Sequence, residues 1–191
     1  MTPTSNALVL GLDAEPRVPI YRSWAMPSAD TFSVPPIAAF IDRWYGAPSV
    51  DPFARNSVVA TYRNDLSPDT GAEYHMEALD FCELLHEQGV RAELVIFDPP
   101  YSPRQISEVY QSVGRAATTE DTQSPRLYRE VRDALDLLLV PGGLALSFGW
   151  NSAGFGKARG YDPLEILLVA HGGAHNDTIC VAERKITKWR P

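Results

Sequence analysis

The sequence predicts an α/β fold on a mostly parallel sheet that ends in an antiparallel hairpin. Three observations predict it. From residue 34 onward, apolar β-rich runs alternate with segments of helical period. The last two apolar runs, LEILLVAHGG and DTICVAERK, are joined only by a short polar turn. The length of 191 residues, with 45% hydrophobic and 21% charged residues, suits one folded domain and excludes a disordered chain or a coiled coil. We read a single domain over 1–191, with an extended N-terminal wrap (1–33), a core (34–187) and a mobile loop (117–126).

Half of the 16 prolines fall at Pro3, Pro16, Pro19, Pro27, Pro35, Pro36, Pro48 and Pro52, which makes the N-terminal region extended rather than helical. VPPIAAFIDRWYG then reads as a short helix with prolines at its start, and SVDPF as a short strand running into a turn. SVVATY is a second β-branched run, ended by the polar turn RNDLSPDTG. MEALDFCELLHEQG has an apolar face of Met76, Leu79, Phe81, Cys82 and Leu85, and Gly89 closes it as a helix. RAELVIF is a strand that stops at Asp98-Pro99-Pro100-Tyr101. SPRQISEVYQSVG forms a short helix, and RAATTEDTQSP is polar without apolar periodicity. LYREVRDALDLLLVPGG is an amphipathic helix halted by Pro141 and the Gly142-Gly143 pair. LALSFGW is the next strand, ahead of the hairpin.

Charge and cysteine usage narrow the function. Lys and Arg total 17 against 24 Asp and Glu, net −7, so the chain as a whole repels a polyanion and any nucleic-acid contact has to be local. Cys82 and Cys180 sit in apolar stretches as buried thiols, and their number excludes a disulfide scaffold or zinc ribbon. No apolar run approaches the roughly 18 residues of a membrane span, and the first residues lack the order of a signal peptide. The expectation is a cytoplasmic protein with no membrane partner.

In a parallel α/β sheet the ligand crevice lies at the carboxyl ends of the strands, where this sequence places Asp51, Asp65, Asp98 and Trp150. Pro99 and Pro100 fix two successive φ angles and remove two N–H donors, so the Asp98 and Pro99 carbonyls are free to face a ligand. Tyr101 adds a flat face for a planar base. A carboxylate and a carbonyl held together accept both N–H bonds of an exocyclic amine and turn its lone pair outward.

This tetrad after an apolar strand resembles the catalytic motif of the DNA adenine-N6 methyltransferases that use S-adenosylmethionine, of the small type encoded by phages and mobile elements. SVDPFARNS resembles their cofactor signature Asp-Pro-Phe-Ala-Gly-Ser-Gly at Asp51, Pro52, Phe53 and Ala54. Arg55, Asn56 and Ser57 replace its glycine-rich end, which normally admits the cofactor without a Cβ in the way. The resemblance spans about residues 20–187. It implies a Rossmann-like class I methyltransferase fold with a seven-stranded sheet, S-adenosylmethionine as cofactor, and methylation of adenine N6 in DNA at specific sites. It makes Asp98, Pro99, Pro100 and Tyr101 catalytic, with Tyr101 stacking on a flipped base. Thr31, Phe32, Asp51, Pro52, Phe53, Ala54 and Asp65 become cofactor contacts, Asp65 through the ribose hydroxyls, although Phe32 equally suits the core.

Two segments remain open. SFGWNSAGFGKARGYDP carries Trp150, Asn151, Lys157 and Arg159 among glycines, either a flexible clamp on DNA or an ordinary glycine-rich loop. The tail, with Arg184, Lys185, Lys188 and Arg190 beside Trp189, either touches DNA or is a solvated end. His171 and His175 lack metal-ligand spacing and read as a polar hairpin turn. No stretch is left for a target-recognition region, so a protein partner that supplies sequence recognition is one expectation. A catalytically impaired binding or assembly module is an alternative, and so is an enzyme acting on RNA or a protein amide.

Overall fold

A computed structural model describes residues 18–116, 125–173 and 175–186. Its centre is a seven-stranded sheet of β1 (Ile20–Trp24), β2 (Ser49–Asp51), β3 (Tyr62–Arg63), β4 (Ala92–Phe97), β5 (Leu139–Gly149), β6 (Tyr161–Ala170) and β7 (Thr178–Lys185), in the order β1-β6-β7-β5-β4-β2-β3. All neighbours are parallel except β7, which runs antiparallel to both β5 and β6. The expected mostly parallel sheet with a reversed C-terminal strand is therefore the fold observed.

Among the described residues there are four α-helices, α1 (Pro35–Trp44), α2 (Ala78–Glu87), α3 (Pro103–Ser112) and α4 (Pro125–Leu138), with α1 on one face of the sheet and α2 and α4 on the other. Strand alternation divides the core. Along β4, Leu94 and Ile96 join Ile37, Phe40 and Ile41 of α1, while Val95 and Phe97 join Phe81, Cys82 and Leu85 of α2 and Val131, Leu135 and Leu138 of α4. Both helical sets follow the three-and-four spacing that puts side chains on one face. Prolines begin α1 because the first helical residues need no N–H partner. Gly89, at φ 75°, ends α2 in the left-handed region. Ser102 and Gln105 form a reciprocal capping box at the start of α3.

Three local expectations change. The N-terminal wrap contains an edge strand, since β1 pairs along β6 from Ile20↔Ile166 to Trp24↔Ala170, and residues 1–17 lie outside the described part. Of the run SVVATY only Tyr62 is in a strand, because β2 is three residues long and offers β3 two pairs, Val50↔Tyr62 and Asp51↔Arg63. The amphipathic helix stops at Leu138, before the proline, and β5 already starts at Leu139. Its pairing slips between Ala92↔Leu139 and Leu94↔Leu144, so Pro141 and the two glycines form a bulge where the missing N–H of proline does no harm. The expected loop at 117–126 lies outside the described residues through 124, and residues 125 and 126 open α4.

Buried polar groups lock the chain where sequence patterning is silent. Lys185, expected in the basic tail patch, is 4% exposed. Its Nζ donates to the Leu139 carbonyl at 3.0 Å and lies 3.0 Å from Asp136 Oδ1. Tyr161 also donates to Asp136, at 2.6 Å. Lys185 is thus withdrawn from any nucleic acid, and residues 188–190 of the same patch lie outside the described part. His171 is likewise structural, with ring nitrogens 2.8 Å from the Ala25 carbonyl and 2.9 Å from Thr178 Oγ1, which fastens the end of β1 to the hairpin.

Candidate functional site

A cleft of about 1450 Å³ opens at the carboxyl ends of β2, β3, β4 and β5, where a parallel sheet places its ligand crevice. It gathers Thr31 and Phe32 from before α1, Pro52, Phe53 and Ala54 after β2, Asp65 after β3, the tetrad after β4, and Trp150 after β5.

The tetrad is braced on every side. The amide N–H groups of Tyr101 and Ser102 donate to Gln105 Oε1 at 2.9 and 3.1 Å, and the Tyr128 hydroxyl on α4 donates to the Pro100 carbonyl. Pro99 is buried. The Thr31 hydroxyl stands beside the Asp98 carboxyl, so the cleft brings together two segments 67 residues apart in sequence (98 − 31). The Tyr101 ring packs on Gly149 and lies 6.1 Å from the half-exposed Trp150 ring. A Cβ at Gly149 would stand 2.6 Å from Tyr101 Cε1 and 2.7 Å from Cζ. Gly149→Ala is therefore expected to push Tyr101 aside and lower turnover about 10- to 100-fold with the circular dichroism spectrum unchanged. Wild-type turnover in that variant would show that the position of Tyr101 is immaterial.

Asp51, fully buried, bends the chain after β2 by accepting the Phe53 N–H at 2.9 Å on Oδ1. Its Oδ2 is buried without a hydrogen-bond partner among the described residues. Asn64, 1% exposed, holds the surrounding loops, because its amide donates to the Pro52 and Met76 carbonyls and accepts the Met76 N–H, at 3.1, 3.0 and 3.1 Å. The three residues that depart from the glycine-rich pattern are each engaged. Arg55 keeps a glycine-like φ of 50° and donates to the Ala29 carbonyl at 2.7 Å. Asn56 accepts the Gly71 N–H at 3.1 Å, and Ser57 accepts the Val59 N–H at 3.3 Å.

Asp65 and Asp98 line this cleft and Asp51 lies fully buried next to them, and the electrostatics follow. Burial pushes Asp51 up to about 8, opposed by the Phe53 N–H and reinforced by the charges of Asp98 and Asp65. Burial raises Asp98 to about 6 against the Thr31 hydrogen bond. Burial also lifts Asp65, against the N–H groups of Ser67 and Arg55. A cation or a pair of hydroxyl donors in the cleft relieves Asp65 and Asp98, so these residues fit the sulfonium, ammonium and ribose of S-adenosylmethionine.

The folded chain keeps protons on Asp51 and Asp98 that the unfolded chain releases above about pH 4. Stability therefore falls as pH rises, by about 1.4 kcal/mol per pH unit for each group, until the folded pKa is passed. The expected result is a ligand-free Tm that declines from pH 5 to pH 8, with the slope between pH 6 and pH 8 removed by Asp51→Asn. A flat wild-type profile in differential scanning fluorimetry would contradict the buried, protonated Asp51.

The remaining expected contacts separate. Phe32 leans on Phe148 at 5.0 Å and packs against the α1 core while also lining the cleft. Trp150 stands at the cleft, whereas Asn151, Lys157 and Arg159 are not among its lining residues. Arg159 pairs with Asp133 at 2.8 Å. The glycine-rich segment is not a flexible clamp but a fastened loop. Phe155 is 2% exposed in the core, and Glu183 accepts the N–H groups of Phe155 and Gly156 at 2.6 and 2.9 Å. Arg132 donates to the Gly154 carbonyl at 2.9 Å. Asn64, Gln105, Tyr128, Gly149 and Glu183 were absent from the sequence-based site. Asn64, beside Asp65 in a turn, and Gln105, three residues after Ser102 in a capping-box pattern, carried a local signal.

No family model matches the chain, and no curated protein matches it. Solved structures do. The chain is similar to TrmN from Thermus thermophilus, at 16% identity and a TM-score of 0.46, over 80% of this chain and 49% of that one. It is also similar to a SAM-dependent methyltransferase from Agrobacterium tumefaciens, at 13% identity and a TM-score of 0.42, over 75% of this chain and 55% of that one. The likeness lies in the fold, and the chain spans about half the length of each.

Proposed function

We propose that this chain is an S-adenosylmethionine-dependent methyltransferase acting on the exocyclic N6 amine of adenine in DNA. The observation that carries the reading is that Thr31, Asp65 and Asp98 line one cleft, with the Thr31 hydroxyl beside the Asp98 carboxyl and Asp51 buried next to them. The segments expected to hold a cofactor and the segment expected to hold an amine thus meet in one place. Asp51, Phe53, Asp65 and Thr31 hold the cofactor, which supplies an electrophilic methyl group when bound.

Asp98 and the Pro99 carbonyl accept the two N–H bonds of the adenine amine and aim its lone pair. No prior deprotonation is needed, because the positive charge that develops on nitrogen is stabilised by the same acceptors. Tyr101, set by Gly149 and Gln105, stacks on the base. Trp150, on the same lip of the cleft, extends the aromatic surface. With a net charge of −7, the chain relies on a protein partner for sequence recognition and for much of its hold on the phosphate backbone.

The test is mass spectrometry of nucleosides from DNA and RNA of cells that express the protein. N6-methyladenine in DNA that is absent from cells with the Asp98→Ala variant supports the proposal. Methylated adenosine confined to RNA changes the substrate, and no methylated nucleoside in either pool refutes the reading.

A further inference from the structure

Arg55 stands where the resembled motif has its first glycine, and among the described residues it is the one non-glycine residue with a positive φ. Such a backbone costs stability and persists where its surroundings enforce it. Here they do. The Arg55 amide N–H bonds the Asp65 carboxylate, and Nη1 donates to the Ala29 carbonyl at 2.7 Å and lies 3.8 Å from Asp30 Oδ1. The residue spans from the loop after β2 to the segment before α1.

Both side-chain contacts use Nη1. The Nε and Nη2 edge, which pairs with a carboxylate through two parallel hydrogen bonds, has no partner among the described residues, and the side chain is 53% exposed at the cleft. The carboxylates of Asp65 and Asp98 in the cleft suit the cationic and hydroxyl parts of the cofactor and repel its carboxylate. Arg104 also lines the cleft but is paired with Glu108 at 2.7 Å.

We propose that Arg55 anchors the α-carboxylate of the cofactor's amino-acid moiety, so that the substituted glycine position is a binding residue rather than a defect. The inference rests on the methyltransferase reading above. Arg55 then does two things at once: it closes the cofactor loop onto the segment before α1, and it balances the one negative group of an otherwise cationic ligand.

Isothermal titration calorimetry with S-adenosylhomocysteine and with 5′-methylthioadenosine, which lacks the amino-acid moiety, tests it. Arg55→Gly suits the observed φ and preserves the loop. It is expected to weaken S-adenosylhomocysteine about 10- to 100-fold and to leave 5′-methylthioadenosine within about twofold. Arg55→Lys is expected to fall between, since an ammonium lacks the planar fork. Equal losses for both ligands, or none for S-adenosylhomocysteine, overturn the role of Arg55 and leave the cofactor assignment standing. A wild-type protein that binds neither ligand overturns both.

Discussion

Asp98→Ala is expected to lower methyl transfer by a factor of about 100 to 1000 or more while S-adenosylhomocysteine binding stays within a few-fold of wild type. The magnitude is that of removing a preorganised group aimed at developing charge. Asp98 sits after β4 at the cleft, beside the Thr31 hydroxyl and outside both core clusters, so the variant loses no core packing. It also removes a charge that pushes Asp51 up, so the folded protein should be no less stable at pH 8 than wild type. That separates loss of chemistry from loss of fold. Since burial holds Asp98 near pH 6, wild-type turnover should rise through that region as the carboxylate forms. A rate equal to wild type, or a loss that tracks unfolding, would show that Asp98 is not the acceptor.

Lys185→Met is expected to destabilise the protein by about 3–5 kcal/mol, read as a lower urea midpoint at unchanged slope. The substitution leaves Asp136, 2% exposed, with its charge compensated only by the Tyr161 hydroxyl at 2.6 Å. The Leu139 carbonyl also loses its 3.0 Å donor. Replacing both charges, Lys185→Met with Asp136→Leu, should recover part of the loss, because a hydrophobic pair of similar volume needs no desolvation of ions. A single variant within about 1 kcal/mol of wild type would mean that the pair is solvated, contrary to its burial.

These two residues mark different degrees of legibility. Asp98 was evident because its neighbours are covalent neighbours: an apolar strand, two prolines and an aromatic in a row define their local geometry without help from the fold. Lys185 was misread as a member of a basic tail. Its charge is a property of the residue, but its burial depends on α4 ending at Leu138 and on Asp136 facing β7. The glycine-rich segment, left open between a clamp and an ordinary loop, is fastened by contacts that are likewise distant in sequence. Gly154 is required because a Cβ there would lie 2.1 Å from Glu183 Oε2, a contact between positions 29 residues apart (183 − 154).

What the sequence determined alone is the alternation of strands and helices, the closing hairpin, and the order in which candidate residues reach strand ends, since each follows from side-chain periodicity and from proline and glycine chemistry within a few residues. The tertiary structure decided which of those ends face one cleft. Strand order brings the carboxyl ends of β2, β4 and β5 together, so that Phe53, Asp98 and Trp150 line one cleft, and the hydrogen bond from Arg55 to the Ala29 carbonyl ties the segment before α1 to them. Desolvation in that shared space raises the pKa values of the carboxyl groups, and desolvation is a property of the enclosure, which no single stretch of chain possesses.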